Sequence, residues 1–394
     1  MKARKMKENV YWVGAVDWER RVFDSLIPLP DGTSYNSYLV MGSEKTVLID
    51  TVDPAMSSVL LGRLDDLGIE NLDYIVANHA EQDHSGTIPL VAAKFPAAKI
   101  ISTPKAKNML IDLLRVDGDR FITVQDGEKL SLGDKTLEFI HAPWVHWPET
   151  MVTYLHEDKI LFSCDFLGSH LATSNLYAGD DHRVYDGAKR YYAEIMMPFR
   201  SAIRKNLDKV EEFQIDMVAP SHGPIHDEPR RILQAYRDWI SDNLTNTVII
   251  PFVSMHGSTL TMVNYLTESL IEKGISVRKF DLTVTDLGQM AAALVDAATL
   301  VIGSPTVLAG AHPQIISAAF LANALRPKMR FASIIGSYGW GGKTVEQIAG
   351  MLSNLKVEIL EPVLAQGCPR DEHFQALERL ASDIAARHKE NNIT

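Results

Sequence analysis

A short segment of the chain brings together four residues of the types that bind metal ions. Residues 79–84 read His-Ala-Glu-Gln-Asp-His, so two imidazoles and two carboxylates fall within six positions. Such crowding is unfavourable unless a cation compensates the charges. The segment follows the apolar run Tyr74–Asn78, and a strand that ends in a loop can direct alternate side chains toward one point. We therefore predict a metal site here; the alternative is a solvated loop with a helix N-cap at Asp83 or Ser85.

Three later residues extend this pattern. His146, Asp165 and His222 each stand directly after an apolar run or in a tight turn, in Trp-Val-His, Ser-Cys-Asp and Pro-Ser-His-Gly-Pro. Taken singly each is weak evidence, since His146 beside a tryptophan is equally consistent with a packed core histidine. His226 competes with His222 for the ligand role, and we favour His222 because it precedes the glycine of the turn.

In this order the residues resemble the metallo-β-lactamase superfamily, whose pattern is HxHxDH, then His, Asp and His. The resemblance covers roughly residues 8–240, and Asp50 resembles the early structural aspartate of that superfamily. The middle position of the motif is Glu81 here, and a carboxylate in place of an imidazole shifts the preferred metal from zinc toward iron. Asp165 would bridge two ions about 3.5–4 Å apart. The resemblance implies that the other six ligands divide into two groups. One ion would bind to His79, Glu81 and His146, and the other to Asp83, His84 and His222.

The elements that would position these residues change character along the chain. Up to residue 245 many short β-like runs alternate with turns and a few helices, among them a predicted continuous helix over 188–207. The polar run Ser241–Thr247 then precedes five regular βα units. Their predicted strands include 300–303, 330–335 and 357–363. We predict an α/β protein: a metallo-β-lactamase-like αβ/βα sandwich over 1–245, followed by a flavodoxin-like doubly wound five-stranded parallel sheet over 246–394.

Three loops of the second half carry residue types that can hold a phosphate and a planar ring. The first follows a strand and opens a helix, where hydroxyls and backbone N–H groups form a cradle for one phosphate. The other two carry glycines and aromatic side chains that can approach and stack on a planar ring. They resemble the flavin mononucleotide (FMN) loops of flavodoxins, with the ring between the last two; the alternative is a capped helix with no ligand. The predicted cofactor residues are Ser254, Met255, His256, Gly257, Ser258, Thr259, Ser304, Pro305, Thr306, Val307, Leu308, Ser337, Tyr338, Gly339, Trp340 and Gly341.

The HxExDH motif with these downstream ligands and a flavodoxin-like half resembles the flavodiiron proteins over nearly the whole chain. The resemblance implies FMN, two Fe ions, and reduction of dioxygen to water or of nitric oxide to nitrous oxide. It also implies a head-to-tail homodimer or a dimer of dimers, and a separate electron donor, either a rubredoxin-like protein or a reduced deazaflavin. Departures from the family pattern stand near the flavin at Val253, His256 and Leu308–Ala309. Near the metals, several members of the family have a histidine in the segment that reads Phe23-Asp24 here, and Tyr191 or Tyr192 would offer a hydroxyl there.

Composition excludes several other classes of protein. The net charge of −11 argues against nucleic acid or an anionic membrane as partner. Two cysteines with no CxxC predict free thiols and a cytoplasmic location, and we expect neither a transmembrane helix nor a signal peptide. Two other functions stay open: a dinuclear zinc hydrolase with a regulatory flavodoxin-like domain, and a non-catalytic flavin carrier with a vestigial first half.

Overall fold

The computed structural model describes residues 1–393 and divides into two compact units. The first unit contains residues 1–192 and 199–240. The second contains residues 193–198 and the described residues from 241 onward. Among residues 1–393, helices that combine the length and the apolarity needed to cross a bilayer are absent.

The first unit is built on two sheets. One sheet has the order β1-β2-β7-β8-β9-β10-β11 and the other runs β12-β13-β14-β15-β16. Short pairs β3–β6 and β4–β5 lie beside them. The strands are β1 Arg4–Lys7, β2 Val10–Trp12, β3 Ala15–Asp17, β4 Val22–Phe23, β5 Ile27–Pro28, β6 Thr33–Tyr35, β7 Tyr38–Met41, β8 Thr46–Ile49, β9 Tyr74–Val76, β10 Lys99–Ser102, β11 Phe121–Thr123, β12 Glu128–Ser131, β13 Thr136–His141, β14 Met151–Leu155, β15 Ile160–Cys164 and β16 Met217–Pro220.

Side-chain alternation along the strands creates two cores. Tyr38 and Val40 of β7 pack between the two sheets, against residues such as Phe139 and Phe162. Leu39, between them in sequence, points to the opposite face and packs in the cluster that contains the helices of that side. Because successive strand residues face opposite sides, the first sheet is covered on both faces and its central strands are almost wholly apolar.

The helices of the first unit are α1 Ser57–Asp66, α2 Gln82–Ser85, α3 Ile88–Lys94, α4 Pro104–Leu114, α5 His182–Tyr191, α6 Arg200–Val210 and α7 Pro229–Ile240. Short 3-10 turns cover Pro54–Met56 and Gly118–Arg120. The predicted continuous helix over 188–207 is wrong. A π-turn at Tyr192–Met196 and a 3-10 turn at Met197–Phe199 separate α5 from α6, because Pro198 has no N–H to donate and its ring crowds the preceding turn.

The second unit is a parallel sheet of order β18-β17-β19-β21-β22, which confirms the predicted flavodoxin-like architecture. Its strands are β17 Thr245–Phe252, β18 Ser276–Asp281, β19 Ala297–Val307, β20 Gly310–Ala311, β21 Phe331–Tyr338, β22 Glu358–Ile359 and β23 Val363–Gln366. Its helices are α8 Ser258–Glu272, α9 Leu287–Leu294, α10 Pro313–Leu325, α11 Thr344–Met351 and α12 Asp371–Glu390.

Three predicted strand limits in this unit differ from the structure. β19 continues past Gly303 because residues 306–307 pair antiparallel with 310–311. β21 continues to Tyr338 because residues 335–338 pair with β23. The predicted strand 357–363 is two segments, β22 and β23, that both pair with β21. Pro362 lies between them, and a proline cannot donate a ladder hydrogen bond.

The close approach of β19 and β21 makes a side chain at position 336 costly. A Cβ added to Gly336 would lie 2.0 Å from the backbone oxygen of Ser304, so one of the two strands would have to shift. We expect Gly336→Ala to lower the free energy of unfolding of the second unit by about 1–3 kcal/mol, the usual cost of overpacking. Denaturant titration of the purified protein measures this difference.

Gly350→Ala is the matched control, because Gly350 lies in α11 with open space around its Cα. Alanine there should be neutral or stabilising by up to about 1 kcal/mol, since it favours the helix. Equal stability of the two variants would contradict the packing argument.

Candidate metal centre and cofactor loops

Every predicted ligand of the first unit stands beyond or beside the end of a strand. Residues 79–84 follow β9 and run into α2, Asp165 follows β15, and His222 follows β16. His146 lies in the turn between β13 and β14. β8 and β9 pair in parallel, as do β15 and β16, so their carboxyl ends share an edge in each sheet. The structure brings all seven predicted ligands together at these edges.

The first group consists of His79, Glu81, His146 and Asp165, whose ligand atoms lie within 4.8 Å of one another. His146 Nε2 is 3.1 Å from Glu81 Oε2 and 3.3 Å from Asp165 Oδ2. His79 Nε2 is 3.2 Å from Glu81 Oε2 and 3.5 Å from Asp165 Oδ2. Two imidazoles and two carboxylates thus converge on one point.

The second group consists of Asp83, His84 and His222, again within 4.8 Å. His222 Nε2 is 3.1 Å from Asp83 Oδ2, and His84 Nε2 is 3.2 Å from Asp83 Oδ1. The other oxygen of Asp165, Oδ1, lies 3.1 Å from His84 Nε2 and 3.3 Å from His222 Nε2. Asp165 therefore presents one oxygen to each group, which is the geometry of a bridging carboxylate.

The electrostatics of the cluster fit bound cations. Both carboxylate oxygens of Asp83 and of Asp165, and Nε2 of His84, are buried without a hydrogen-bond partner among the described residues. Buried charges of this kind are unfavourable unless they are paired or coordinate a metal. The donor set of four imidazoles and three carboxylates suits iron, which accepts mixed nitrogen and oxygen ligands.

Without a metal the cluster would hold its charge balance with protons. Burial lowers the pKa of His146, but its close contacts with Asp165 and Glu81 outweigh it and raise the pKa to about 9. Burial likewise opposes the charge on His222, yet its contacts with Asp165 and Asp83 raise its pKa to about 10. Metal binding must displace these protons, so it should become stronger as the pH rises.

The structure separates the two competing histidines. His226 Nε2 donates to the carbonyl of Leu167 at 3.0 Å, away from both ligand groups. His170 joins neither ligand group, but its ring centroid lies 4.7 Å from that of His222 and its Nδ1 is 2.9 Å from Thr33 Oγ1.

Two other residues near the cluster retain their protons more firmly than usual. Burial, followed by the charge of Asp165, raises the pKa of Tyr191 well above its ordinary value. Desolvation, followed by the charges of Glu81 and Asp83, raises the pKa of Asp24. The negative charge of the cluster thus contributes to the raised pKa of both side chains.

Glu149 is a buried residue of this region that sequence reasoning missed. Its Oε1 accepts from His79 Nδ1 at 2.7 Å and from the backbone N–H of Ala80 at 3.1 Å. The available signal was its place in His146-Trp-Pro-Glu149, a carboxylate three positions from a predicted ligand. Asp50, by contrast, accepts from the backbone and side-chain nitrogens of Asn78, at 2.8 and 2.9 Å, and so fixes the end of β9.

The three predicted cofactor loops lie side by side in the second unit, because β17, β19 and β21 are neighbours in the sheet. The first begins α8 after Gly257, whose φ of 89° is readily adopted by glycine. Thr259 Oγ1 lies 3.1 Å from Ser337 Oγ, so hydroxyls of the first and third loops meet. Leu308 and Trp340 are strongly exposed, at 93% and 82%.

The hydroxyl of Ser304 is engaged within its own hairpin. The side chain is fully buried, the hydroxyl donates to the carbonyl of Pro305 at 2.9 Å, and it accepts from the N–H of His312 at 3.2 Å. These two hydrogen bonds therefore stabilise the β19–β20 hairpin.

Comparisons with known proteins agree with this geometry. A family model described as "ODP family beta lactamase" matches residues 33–223. The chain is 35% identical to a nitric oxide reductase of Moorella thermoacetica, over 96% of this chain and 97% of that protein. It is 32% identical to a coenzyme F420H(2) oxidase of Methanothermobacter marburgensis, over 97% and 98%.

Solved structures show the same likeness over the whole chain. The rubredoxin oxygen:oxidoreductase of Desulfovibrio gigas superposes with a TM-score of 0.95 at 28% identity, covering 100% of both chains. The flavodiiron protein of Giardia intestinalis gives a TM-score of 0.94 at 27% identity, covering 100% of this chain and 99% of that one. Fold and site together define a metallo-β-lactamase-like two-metal unit joined to a flavodoxin-like unit. The chain belongs to the flavodiiron protein family.

The buried side chain of His226 should make the free energy of unfolding of the first unit fall as the pH is lowered. Burial lowers its pKa to about 4, whereas an unfolded histidine has a pKa of about 6.5. The unfolded chain therefore takes up this proton first, so the stability it contributes is present above pH 6.5 and is lost as the pH falls toward 4. Between pH 7 and pH 5 the loss is about 2 kcal/mol.

In His226→Gln an amide can replace the donor to Leu167 without titrating. We expect the fall in unfolding free energy between pH 7 and pH 5 to shrink by about 2 kcal/mol relative to the wild type, measured by urea unfolding of the metal-free protein. His182→Gln, at an exposed position of the same unit, should keep the wild-type fall. An unchanged pH dependence in His226→Gln would refute the assignment.

Proposed function

We propose that this chain reduces dioxygen to water, nitric oxide to nitrous oxide, or both, at a di-iron centre that receives electrons through FMN. The observation that carries the proposal is the pair of buried ligand groups that share the two oxygens of Asp165. The names of the relatives support the reaction class, since they include a nitric oxide reductase, a coenzyme F420H(2) oxidase and an oxygen oxidoreductase.

The metal assignment divides the seven ligands between two irons in the domain over 1–245. His79, Glu81 and His146 would hold one iron, Asp83, His84 and His222 the other, and Asp165 both. When bound, an iron pair supplies redox chemistry and open positions for a small gas molecule. The protein side contributes a rigid, water-poor cage, since His79, His84, Asp165 and His222 are almost fully buried.

The flavin assignment places FMN in the domain over 246–394. The phosphate would lie on Ser254–Thr259, where N–H groups at the start of α8 and nearby hydroxyls form the cradle. The ring would lie between 304–310 and 336–342. When bound, FMN can supply electrons one at a time, and this suits a pair of metal ions that is reduced in one-electron steps.

Partners and location follow as parts of the same proposal. Each unit exposes large apolar side chains: Trp18, Leu26 and Trp144 in the first, Leu308 and Trp340 in the second. Large exposed apolar side chains are available for a subunit interface, and this is compatible with the proposed head-to-tail homodimer, or a dimer of dimers. The electron donor would be a separate rubredoxin-like protein or a reduced deazaflavin. The two free cysteines support a cytoplasmic location.

The decisive experiment is anaerobic reduction of the FMN- and iron-loaded protein, followed by separate turnover with dioxygen and with nitric oxide. Consumption of either gas supports the proposal. Two zinc ions with no iron would support the dinuclear hydrolase instead. A yellow, reducible protein that consumes neither gas would support a flavin carrier.

Glu81→His tests the ligand that distinguishes iron from zinc. We expect it to lower the turnover of both gases by about 10–100-fold or more, the range known for disturbed metal sites, with FMN retained. Turnover is measured with gas electrodes and FMN by absorbance. Glu44→His, an exposed position of the same unit, should behave as the wild type, and wild-type turnover in Glu81→His would sink the assignment.

Thr259→Val tests the phosphate cradle, because Thr259 is buried at the start of α8 with its hydroxyl facing Ser337. Loss of one hydrogen bond to a charged ligand should weaken FMN binding about tenfold or more, measured by flavin fluorescence titration. Thr267→Val in the same helix is the control, since its hydroxyl donates to the carbonyl of Val263. Equal FMN affinity in both variants would argue against the cradle.

A further inference from the structure

One buried carboxylate outside the seven ligands contacts a ligand directly. The side chain of Glu149 is fully buried. Its Oε1 accepts the hydrogen bond from His79 Nδ1 at 2.7 Å and a second one from the backbone N–H of Ala80 at 3.1 Å. Its Oε2 is buried with no hydrogen-bond partner among residues 1–393. A negative charge therefore lies one imidazole ring away from the first ligand group.

At His222, one of the two histidines of the second ligand group, the ring nitrogen that faces away from the group has a different partner. His222 Nδ1 donates at 2.7 Å to the backbone carbonyl of Ser34, which is a neutral acceptor. The other buried carboxylate of the region, Asp50, is bonded to the two nitrogens of Asn78. Its carboxylate oxygens accept from Asn78, and within residues 1–393 they accept no hydrogen bond from a ligand imidazole, although the charge of Asp50 acts on both His84 and His79.

The direct ligands themselves are balanced between the two groups. Each group has two histidines and one carboxylate of its own, and both share Asp165. Glu149 thus adds, on the side of His79, a buried carboxylate that is hydrogen-bonded to a ligand imidazole. A carboxylate that accepts Nδ1–H raises the electron density of the imidazole, and its charge acts strongly where water is excluded.

We propose that Glu149 is a positioning residue that makes the two irons unequal. It orients His79 and would lower the reduction potential of an iron held by His79, Glu81 and His146. In an iron-loaded centre that holds one electron, the ferric ion would then lie on this side and the ferrous ion on the side of His222. The inference rests on the proposed di-iron function.

Two substitutions separate the charge of Glu149 from its hydrogen bond. Glu149→Gln keeps the size and an acceptor oxygen for His79 Nδ1–H but removes the charge. Glu149→Ala removes both and frees the imidazole to turn. Glu138→Gln is the matched control, because Glu138 accepts from His156 Nε2 at 2.7 Å in the same unit and both lie outside the ligand groups.

The measurements use the full-length, iron-loaded protein: iron per chain, iron affinity by chelator competition, and a potentiometric titration followed by electron paramagnetic resonance (EPR). For Glu149→Gln we expect two irons per chain, a positive shift of the lower iron potential, and a smaller EPR signal of the half-reduced pair. For Glu149→Ala we expect iron affinity to fall about 10–100-fold. Glu138→Gln should match the wild type in all three.

The outcomes distinguish this inference from the function on which it rests. A wild type that holds no iron pair overturns the proposed function, and the inference with it. An iron-loaded wild type whose potentials and half-reduced EPR signal are unchanged in Glu149→Gln overturns the inference alone. Misfolding of Glu149→Ala does not affect this decision, because the Gln variant carries it.

Discussion

The two oxygens of Asp165 face different groups of ligands, and the arrangement of the first unit depends on that contact. A buried carboxylate between histidines on both sides needs positive charge on both sides. The segment after β9, the turn before β14 and the loop after β16 must therefore all close on one point. The candidate ligands follow strand ends of both sheets, so the full set can come together only when both sheets have formed.

The same constraint explains why the seven candidate ligands, which the structure brings together, could be recognised from the sequence. Residues that must converge on a cation keep fixed chemical types, and they stand where strands end, which apolar runs reveal. His222 could be preferred over His226 because a turn glycine followed it. Glu149 was not found, since its place three positions after His146 does not by itself distinguish a carboxylate that contacts a ligand from one on the surface. Only its 2.7 Å contact with His79 Nδ1 does.

The second unit shows where local patterns fail. The five βα units were visible from their periodicity, but strand lengths were not. β19 and β21 extend because their ends find partners in β20 and β23, and such pairings depend on tertiary contacts. Pro362 and Pro198 both interrupted predicted continuous elements, for the same reason: a missing N–H donor.

The spacing of the ligands along the chain has a consequence for biosynthesis. The first ligand group is complete once Asp165 has been made, whereas the second waits for His222. A chain emerging from the ribosome therefore contains every residue of the first group before β16, the strand that leads to His222, has been made. Synthesis from the N-terminus thus sets the order in which the two sets of candidate ligands become available.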